Sequence, residues 1–302
     1  MTSNPLKSIR IGTLVDATIS DPAAYIARIL VHGFESFQLT FGSSVHDLDL
    51  PALADQILSV LDGSDAVISS LGVYGNPLLD SEEGLQTRES WSRLIENSDA
   101  FGAHAICGFT GRITDQPIPE SIPIFSEVFA PIVDYAGEKG LTIGFENCSM
   151  GGDWNTGDWN IAHGPDAWEL MFEKLPQEHV GLEWEPCHQM INLIDPLPQL
   201  RTWVGKIKHV HGKCASIHLD TVRETGIGGS KRFAHHRTPG FGDTDWTDIL
   251  SELRAGGYQG SIDIEGWHDP VFRDELEMTG QVFALNYLKR CRGGDFIANP
   301  GE

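Results

Sequence analysis

Apolar residues along the chain alternate between two rhythms. Short β-rich runs come first, and longer segments of helical period follow each of them. The runs predict eight strands, at 10–16 (RIGTLVD), 34–41 (FESFQLTF), 66–74 (AVISSLGVY), 103–109 (AHAICGF), 141–147 (LTIGFEN), 180–185 (VGLEWE), 207–211 (IKHVH) and 261–265 (SIDIE). Asp21-Pro22 reads as an N-cap with proline at the first helical position, ahead of AAYIARIL. Asp49-Leu50-Pro51, Ser81-Glu82-Glu83, Gly164-Pro165-Asp166, Asp195-Pro196 and Asp245-Trp246 open further helices, and the last runs from Met278 to Arg290. Between Pro123 and Glu138 another is expected, bent or divided at Pro131. Gly33, Gly140 and Gly256-Gly257 stand where helices must stop, because glycine accepts the left-handed conformation.

Eight β units, each followed by a helix, predict an α/β fold: a single (β/α)8 TIM barrel over 1–302, with a surface extension at about 291–302. An open doubly wound sheet is the weaker alternative, since no GxGxxG follows the first strand. The 302-residue length suits one such barrel, and no internal repeat, linker or low-complexity tract interrupts it.

Composition removes several function classes. The formal net charge is -22, from 21 basic against 43 acidic residues, which disfavours a nucleic-acid partner. No run of eighteen apolar residues and no signal-peptide pattern is present, so a cytoplasmic protein without membrane contact is expected. The cysteines Cys107, Cys148, Cys187, Cys214 and Cys291 are odd in number and form no CxxC, so neither a disulfide framework nor a thiolate zinc site is expected. Cys148, Cys187 and Cys214 read as small apolar filler.

In barrels of this kind chemistry sits at the C-terminal ends of the strands. There strand five ends in Glu146-Asn147, strand six in Glu183-Trp184-Glu185, strand seven in His209-Val210-His211 and strand eight in Glu265, whereas strands one to four end in little that ionises beyond Asp16. Carboxylates and imidazoles gathered at one mouth are costly unless a cation resolves their charge. Three carboxylates and a neutral imidazole suit Mn2+ first, with Mg2+ or Co2+ also fitting, better than a structural zinc. Glu146 and Glu265 each interrupt an apolar run, which calls for a reason beyond a salt bridge. Glu183 and Glu185 share a strand face, as do His209 and His211. The strand-end position favours Glu185 and His211 as ligands, leaving Glu183 to a basic partner.

These stretches together resemble the xylose-isomerase-like sugar isomerase/epimerase barrels, including the tagatose (psicose) 3-epimerase group. The matching stretches are Glu146 in GFEN, Glu185-Pro186-Cys187-His188, His211-Gly212-Lys213-Cys214, Gly240 to Trp246 (GFGDTDW) and Glu265 in IDIEGWHD. The resemblance implies that Glu146, Glu185, His211 and Glu265 hold one divalent cation, that His188 meets the substrate near it, and that Glu146 and Glu265 double as acid/base groups; Lys213 is expected as a further substrate contact. The family has aspartate at the positions of Glu185 and Cys214. Segment 214–241, carrying Arg223, Lys231, Arg232, His235, His236 and Arg237, is expected to cap the site, with Arg237 as a substrate contact. Trp154 and Trp159, in the glycine-rich loop 150–163, are expected as a substrate lid or an oligomer contact, and Trp267 as site wall.

The expected activity is metal-dependent isomerisation or epimerisation of a small sugar through an enediolate. No glycine-rich phosphate cradle is visible, which favours an unphosphorylated substrate. The alternative is a lyase acting on a keto-sugar, inosose or 3-keto-glycoside at the same site. A metal-dependent nuclease and an inert sugar-binding subunit fit the charge and the motif set less well. A homo-oligomer, dimer or tetramer, is the expected assembly.

Overall fold

The computed structural model describes residues 4–300. Parallel strands β1 (Ile9–Asp16), β2 (Ser36–Thr40), β3 (Val67–Val73), β4 (Ala105–Gly108), β5 (Thr142–Glu146), β6 (Val180–Trp184), β7 (Ile207–Gly212) and β10 (Gly260–Ile264) close into a barrel. An antiparallel hairpin, β8 (Cys214–Ile217) and β9 (Ala234–Arg237), is inserted after β7. Each barrel strand lies within its expected range or one residue beyond it. Because β1 pairs with both β2 and β10, the sheet has no edge and the doubly wound alternative is excluded.

The principal helices are α1 (Pro22–Leu30), α2 (Leu50–Leu61), α3 (Glu82–Phe101), α4 (Ile118–Glu138), α5 (Pro165–Lys174), α6 (Pro186–Ile191), α7 (Pro196–Trp203), α8 (Leu219–Thr225), α9 (Trp246–Ala255) and α10 (Glu277–Cys291). The Asp21, Asp49 and Ser81 side chains accept hydrogen bonds from Ala24, Ala52 and Gly84 N–H groups, as N-caps do. The helix expected from Pro123 starts earlier, at Ile118, and runs through Pro131 undivided. Short α6 and α8 were not foreseen.

The strands alternate strictly between two environments. Outward residues such as Phe37, Leu39, Ile143, Phe145, Leu182, Trp184, Val210, Ile262 and Ile264 are buried in one apolar layer against the helices. Inward residues are mostly polar or glycine, whereas barrel interiors are commonly filled by branched aliphatics. Gln38 on β2 bonds Glu183 on β6 across the lumen, and Ser36 on β2 bonds Asp263 on β10. Gly12 is required there, because a Cβ would lie 2.1 Å from Asp263 Oδ1.

The tail beyond Arg290 is only partly a surface extension. Arg292 is buried and forks onto Glu35 at 2.5 and 3.0 Å, while residues 295–300 are exposed. Residues 301 and 302 of the expected extension lie outside the described residues. No helix among the described residues is long and apolar enough to cross a membrane.

Candidate active site

A cavity of about 910 Å³ opens at the C-terminal ends of the strands. Glu146, His188, His211, Lys213, Glu265, His236 and His268 line one part of it, and Leu14, Tyr74, Phe109, Met150 and Trp267 contribute apolar surface.

Parity brings the expected ligands together. β5 ends on Glu146, β7 carries His211, and Glu265 follows β10, all with inward side chains. Ligand atoms of Glu146, His211 and Glu265 lie within 4.8 Å of one another. His211 Nδ1 is 3.3 Å from Glu265 Oε2 and 3.9 Å from Glu146 Oε1. Glu185 is not part of that trio. It is fully buried beside it, with Lys213 Nζ 3.7 Å and His188 Nε2 2.5 Å from its Oε1. Lys213 Nζ also donates to Glu265 Oε1 at 2.7 Å, and His268 Nε2 lies 3.0 Å from the same oxygen.

The electrostatics split the carboxylates. Burial, with Glu265, Glu183 and Glu185 nearby, pushes the Glu146 carboxyl well above its usual range, against the pull of His211. Burial acts the same way on Glu265, but Lys213 together with the neighbouring His211 and His268 imidazoles outweighs it and holds that carboxyl well below. In Glu185 burial is likewise outweighed, here by His188 and Lys213. His236, on β9, is pushed down to about 3 by burial and by the neighbouring Lys213 and His188.

Several donor atoms at the cavity floor have no hydrogen-bond partner. They are both oxygens of Glu185, Oε2 of Glu265 and Nδ1 of His211, all buried. Glu185 Oε1 does have close nitrogen neighbours, His188 Nε2 at 2.5 Å and Lys213 Nζ at 3.7 Å, whereas Oε2 is left bare. Buried unpaired lone pairs of this kind are costly and rare in native proteins. Glu146, Glu265 and His211 bring two carboxylates and an imidazole within 4.8 Å of one another, with Glu185 buried beside them and Lys213 against it, a donor set that fits a divalent cation.

The other expected site residues lie as follows. His188 and Lys213 line the cavity, and so does Trp267. Arg237 does not line it: its Nε donates to Asp269 at 3.1 Å, and its guanidinium lies over the Phe241 ring. Trp154 and Trp159 are exposed and absent from the cavity wall, because the 150–163 loop folds onto Arg112, whose guanidinium binds the Asp153 and Trp154 carbonyls. Segment 214–241 does reach the site, through Arg232 and His236. Cys214 packs against the GFGDTDW turn: its Sγ accepts the Thr244 N–H at 3.1 Å, and a Cβ on Gly242 would lie 2.5 Å from that sulfur. Burial raises the Cys148 and Cys187 thiols well above their ordinary value, so neither is a ready thiolate.

Sequence reasoning missed Gln38 and Tyr74. Gln38 Nε2 donates to Glu183 at 2.5 Å, and Tyr74 OH donates to the same carboxylate at 3.0 Å. Both are neutral residues in β-rich runs, and the only available signal was an amide in an otherwise apolar strand.

Comparison with known proteins agrees with this architecture. Among curated proteins, the inosose dehydratase of Geobacillus thermodenitrificans (strain NG80-2) is 23% identical over 190 residues, covering 59% of this chain. The chain spans 60% of that relative's length. The crystal structure of a 3-keto-D-glucoside 4-epimerase from E. coli superposes with a TM-score of 0.68 at 17% identity, over 94% of this chain and all of that one. A D-psicose 3-epimerase structure gives 0.67 at 15% identity, over 95% of this chain and 100% of that chain. Residues 26–290 match the profile of the xylose isomerase-like TIM barrels, and the chain belongs to that family.

Proposed function

We propose that the protein is a divalent-metal-dependent isomerase or epimerase of a small, unphosphorylated sugar, acting through an enediolate. The reading is carried by the Glu146, His211 and Glu265 ligand atoms gathered within 4.8 Å of one another in the cavity, where His211 Nδ1 and Glu265 Oε2 have no hydrogen-bond partner. Glu146, Glu185, His211 and Glu265 would hold the cation, with Mn2+ the first choice and Mg2+ or Co2+ compatible. A divalent cation, when bound, polarises a substrate carbonyl and acidifies the neighbouring C–H.

The chain's own groups then move the proton. Glu146 and Glu265 come from strands separated in the barrel by β6 and β7, so a carbon between them meets one carboxylate on each face. Their environments push the two carboxyls in opposite directions, the split that acid/base pairs use. Lys213 steadies Glu265 and offers a donor to a substrate oxygen. Return of the proton to the adjacent carbon gives isomerisation, and delivery to the opposite face gives epimerisation.

A lyase on a keto-sugar, inosose or 3-keto-glycoside is the second reading. Two observations favour it: the inosose dehydratase similarity, and the edge-on cluster of His188, His236 and His268 beside Glu265, which sets imidazole N–H groups where a leaving group would depart. Incubation with Mn2+ in D2O and a panel of ketoses, inososes and 3-keto-glycosides separates the two. Solvent deuterium at carbon without loss of product supports the first; an ultraviolet-absorbing enone or released aglycone supports the second. Glu146→Gln or Glu265→Gln is expected to lower turnover by about 10²–10⁴-fold. Undiminished turnover in either variant removes the two-carboxylate scheme.

A further inference from the structure

His211 belongs to two clusters at once. Above it, Glu146 and Glu265 face Nδ1; below it, Glu183 and His209 gather with Nε2, again with ligand atoms within 4.8 Å. The two differ in satisfaction. Nδ1 has no hydrogen-bond partner, whereas Nε2 lies 2.8 Å from Gln38 Oε1 and 3.0 Å from Glu183 Oε1. Neither Glu183 oxygen is unpartnered: Gln38 Nε2 donates to Oε1 at 2.5 Å and Tyr74 OH to Oε2 at 3.0 Å. The Gln38 amide therefore fills the space that a cation would need in the lower cluster.

That amide also has only one sensible orientation. Its NH2 faces the Glu183 carboxylate and the Tyr74 hydroxyl, and a flip would set oxygen against carboxylate. Its oxygen must then face the imidazoles, 2.8 Å from His211 and 3.1 Å from His209. With acceptors on both Glu183 and Gln38, His211 Nε2 has to carry a hydrogen. Nε2 thus keeps its hydrogen whether or not the ring carries a second proton, and Nδ1, which faces Glu265 and Glu146, is the nitrogen left for a cation to take.

We infer that Glu183 and Gln38 are positioning residues: they fix the ring angle and tautomer of His211 so that Nδ1 is presented to the cation site. Neither faces the substrate's reacting atoms; both act through His211. The inference rests on the cation reading above, but its geometric half can be tested without any cation. A carboxylate that holds the distal N–H of a ligating histidine orients the ring and raises its basicity, and loss of such a partner typically costs about 10–100-fold in metal affinity.

The test has two arms. In metal-free wild-type protein, ¹⁵N-resolved NMR of the histidine rings should show His211 Nε2 protonated, with its hydrogen at low field. A bare Nε2 overturns the inference outright. In the second arm Mn2+ affinity is measured by calorimetry for wild type, Glu183→Gln and Gln38→Met, with circular dichroism confirming the fold of each. The expected result is an affinity loss of about 10–100-fold in Glu183→Gln, together with an upfield move of the Nε2 proton. A folded Glu183→Gln that binds Mn2+ as wild type does overturns the positioning role. If both variants fail to fold, the wild-type NMR arm still decides. Should wild type show the protonated Nε2 yet take up no divalent cation, the cation reading fails while the ring geometry stands.

Discussion

Replacing Glu146 by glutamine should stabilise the metal-free protein while lowering its turnover. Glu146 is buried, and burial together with Glu265, Glu183 and Glu185 holds its carboxyl well above the ordinary value of 4.5. At pH 7 the unfolded chain carries this group ionised. The folded, metal-free chain must either protonate it or tolerate the repulsion. Each pH unit above the ordinary value costs at most about 1.4 kcal/mol, so the ceiling at pH 7 is about 3 kcal/mol, against about 1 kcal/mol at pH 5. The direction follows from proton counting. The folded state binds more protons than the unfolded state, so this group's contribution falls as pH rises from 4.5 towards the raised folded value. Glutamine has the same shape and no such penalty. With about 2 °C of melting temperature per kcal/mol for a chain of this size, Glu146→Gln in chelator should melt up to about 6 °C above wild type at pH 7 and about 2 °C above it at pH 5. Saturating Mn2+ should reverse the order: a hundredfold excess over Kd adds about 2.7 kcal/mol to wild type and much less to the variant. Differential scanning calorimetry at the two pH values, with and without metal, reads all four numbers. A variant less stable than wild type in chelator, or an advantage that does not grow with pH, would show that Glu146 is not an electrostatically frustrated ligand.

Arg292→Ala should destabilise the fold by about 1.5–3 kcal/mol in denaturant titrations and leave kcat unchanged, because it leaves the buried Glu35 carboxylate, at the opposite end of the barrel, with only the Ile11 N–H and Lys289 at 3.7 Å. Burial raises the Glu35 carboxyl, but Arg292 and the Ile11 N–H outweigh it and hold it below 4.5; the pair's stabilisation is therefore complete above that pH and is lost as pH falls through the lowered value, so the gap to wild type should close in acid. Trp267→Ala, which removes cavity wall, should raise KM about fivefold, the equivalent of about 1 kcal/mol of lost apolar contact, whereas Trp154→Ala should leave KM alone; the opposite ranking would restore the 150–163 loop as the substrate lid. His236 is pushed down to about 3 and is therefore neutral across the working range, so His236→Gln should change kcat/KM by the same factor at pH 6 and pH 8.

Much of this was legible in the sequence because inward and outward residues differ so sharply. A carboxylate inside IGFEN or IDIEG has no apolar excuse, and Glu146 and Glu265 stood out for that reason. The pairs Glu183/Glu185 and His209/His211 were correctly placed on one face each, but residues two apart on a strand also differ in height by about 6.6 Å. The four stand at successive levels, and the choice between them was one of depth along the barrel axis. Depth depends on strand stagger: β6 shifts register against β7 between Leu182 and Glu183, and no local pattern reports such a shift. Arg237 misled for a related reason, since its partner Asp269 lies beyond the following helix and strand. Gln38 and Tyr74 carry no charge at neutral pH, and their roles exist only once β2, β3 and β6 face one another across the lumen.

The barrel interior is therefore graded rather than uniformly polar. At the lower level Asp263 is held by Ser36 at 2.6 Å, Ser69 at 2.5 Å and His209 at 3.1 Å. One level up, Glu183 has Gln38, Tyr74 and His211. At the top, Glu185 and Glu265 each keep one oxygen bare. Buried polar networks are stable when complete and expensive when incomplete. A sequence selected for stability alone would either complete the top level or replace it with aliphatic residues. Leaving that one level unsatisfied, above two that are fully paired, concentrates the electrostatic cost where the proposed cation would bind, with the lower levels as its rigid mount.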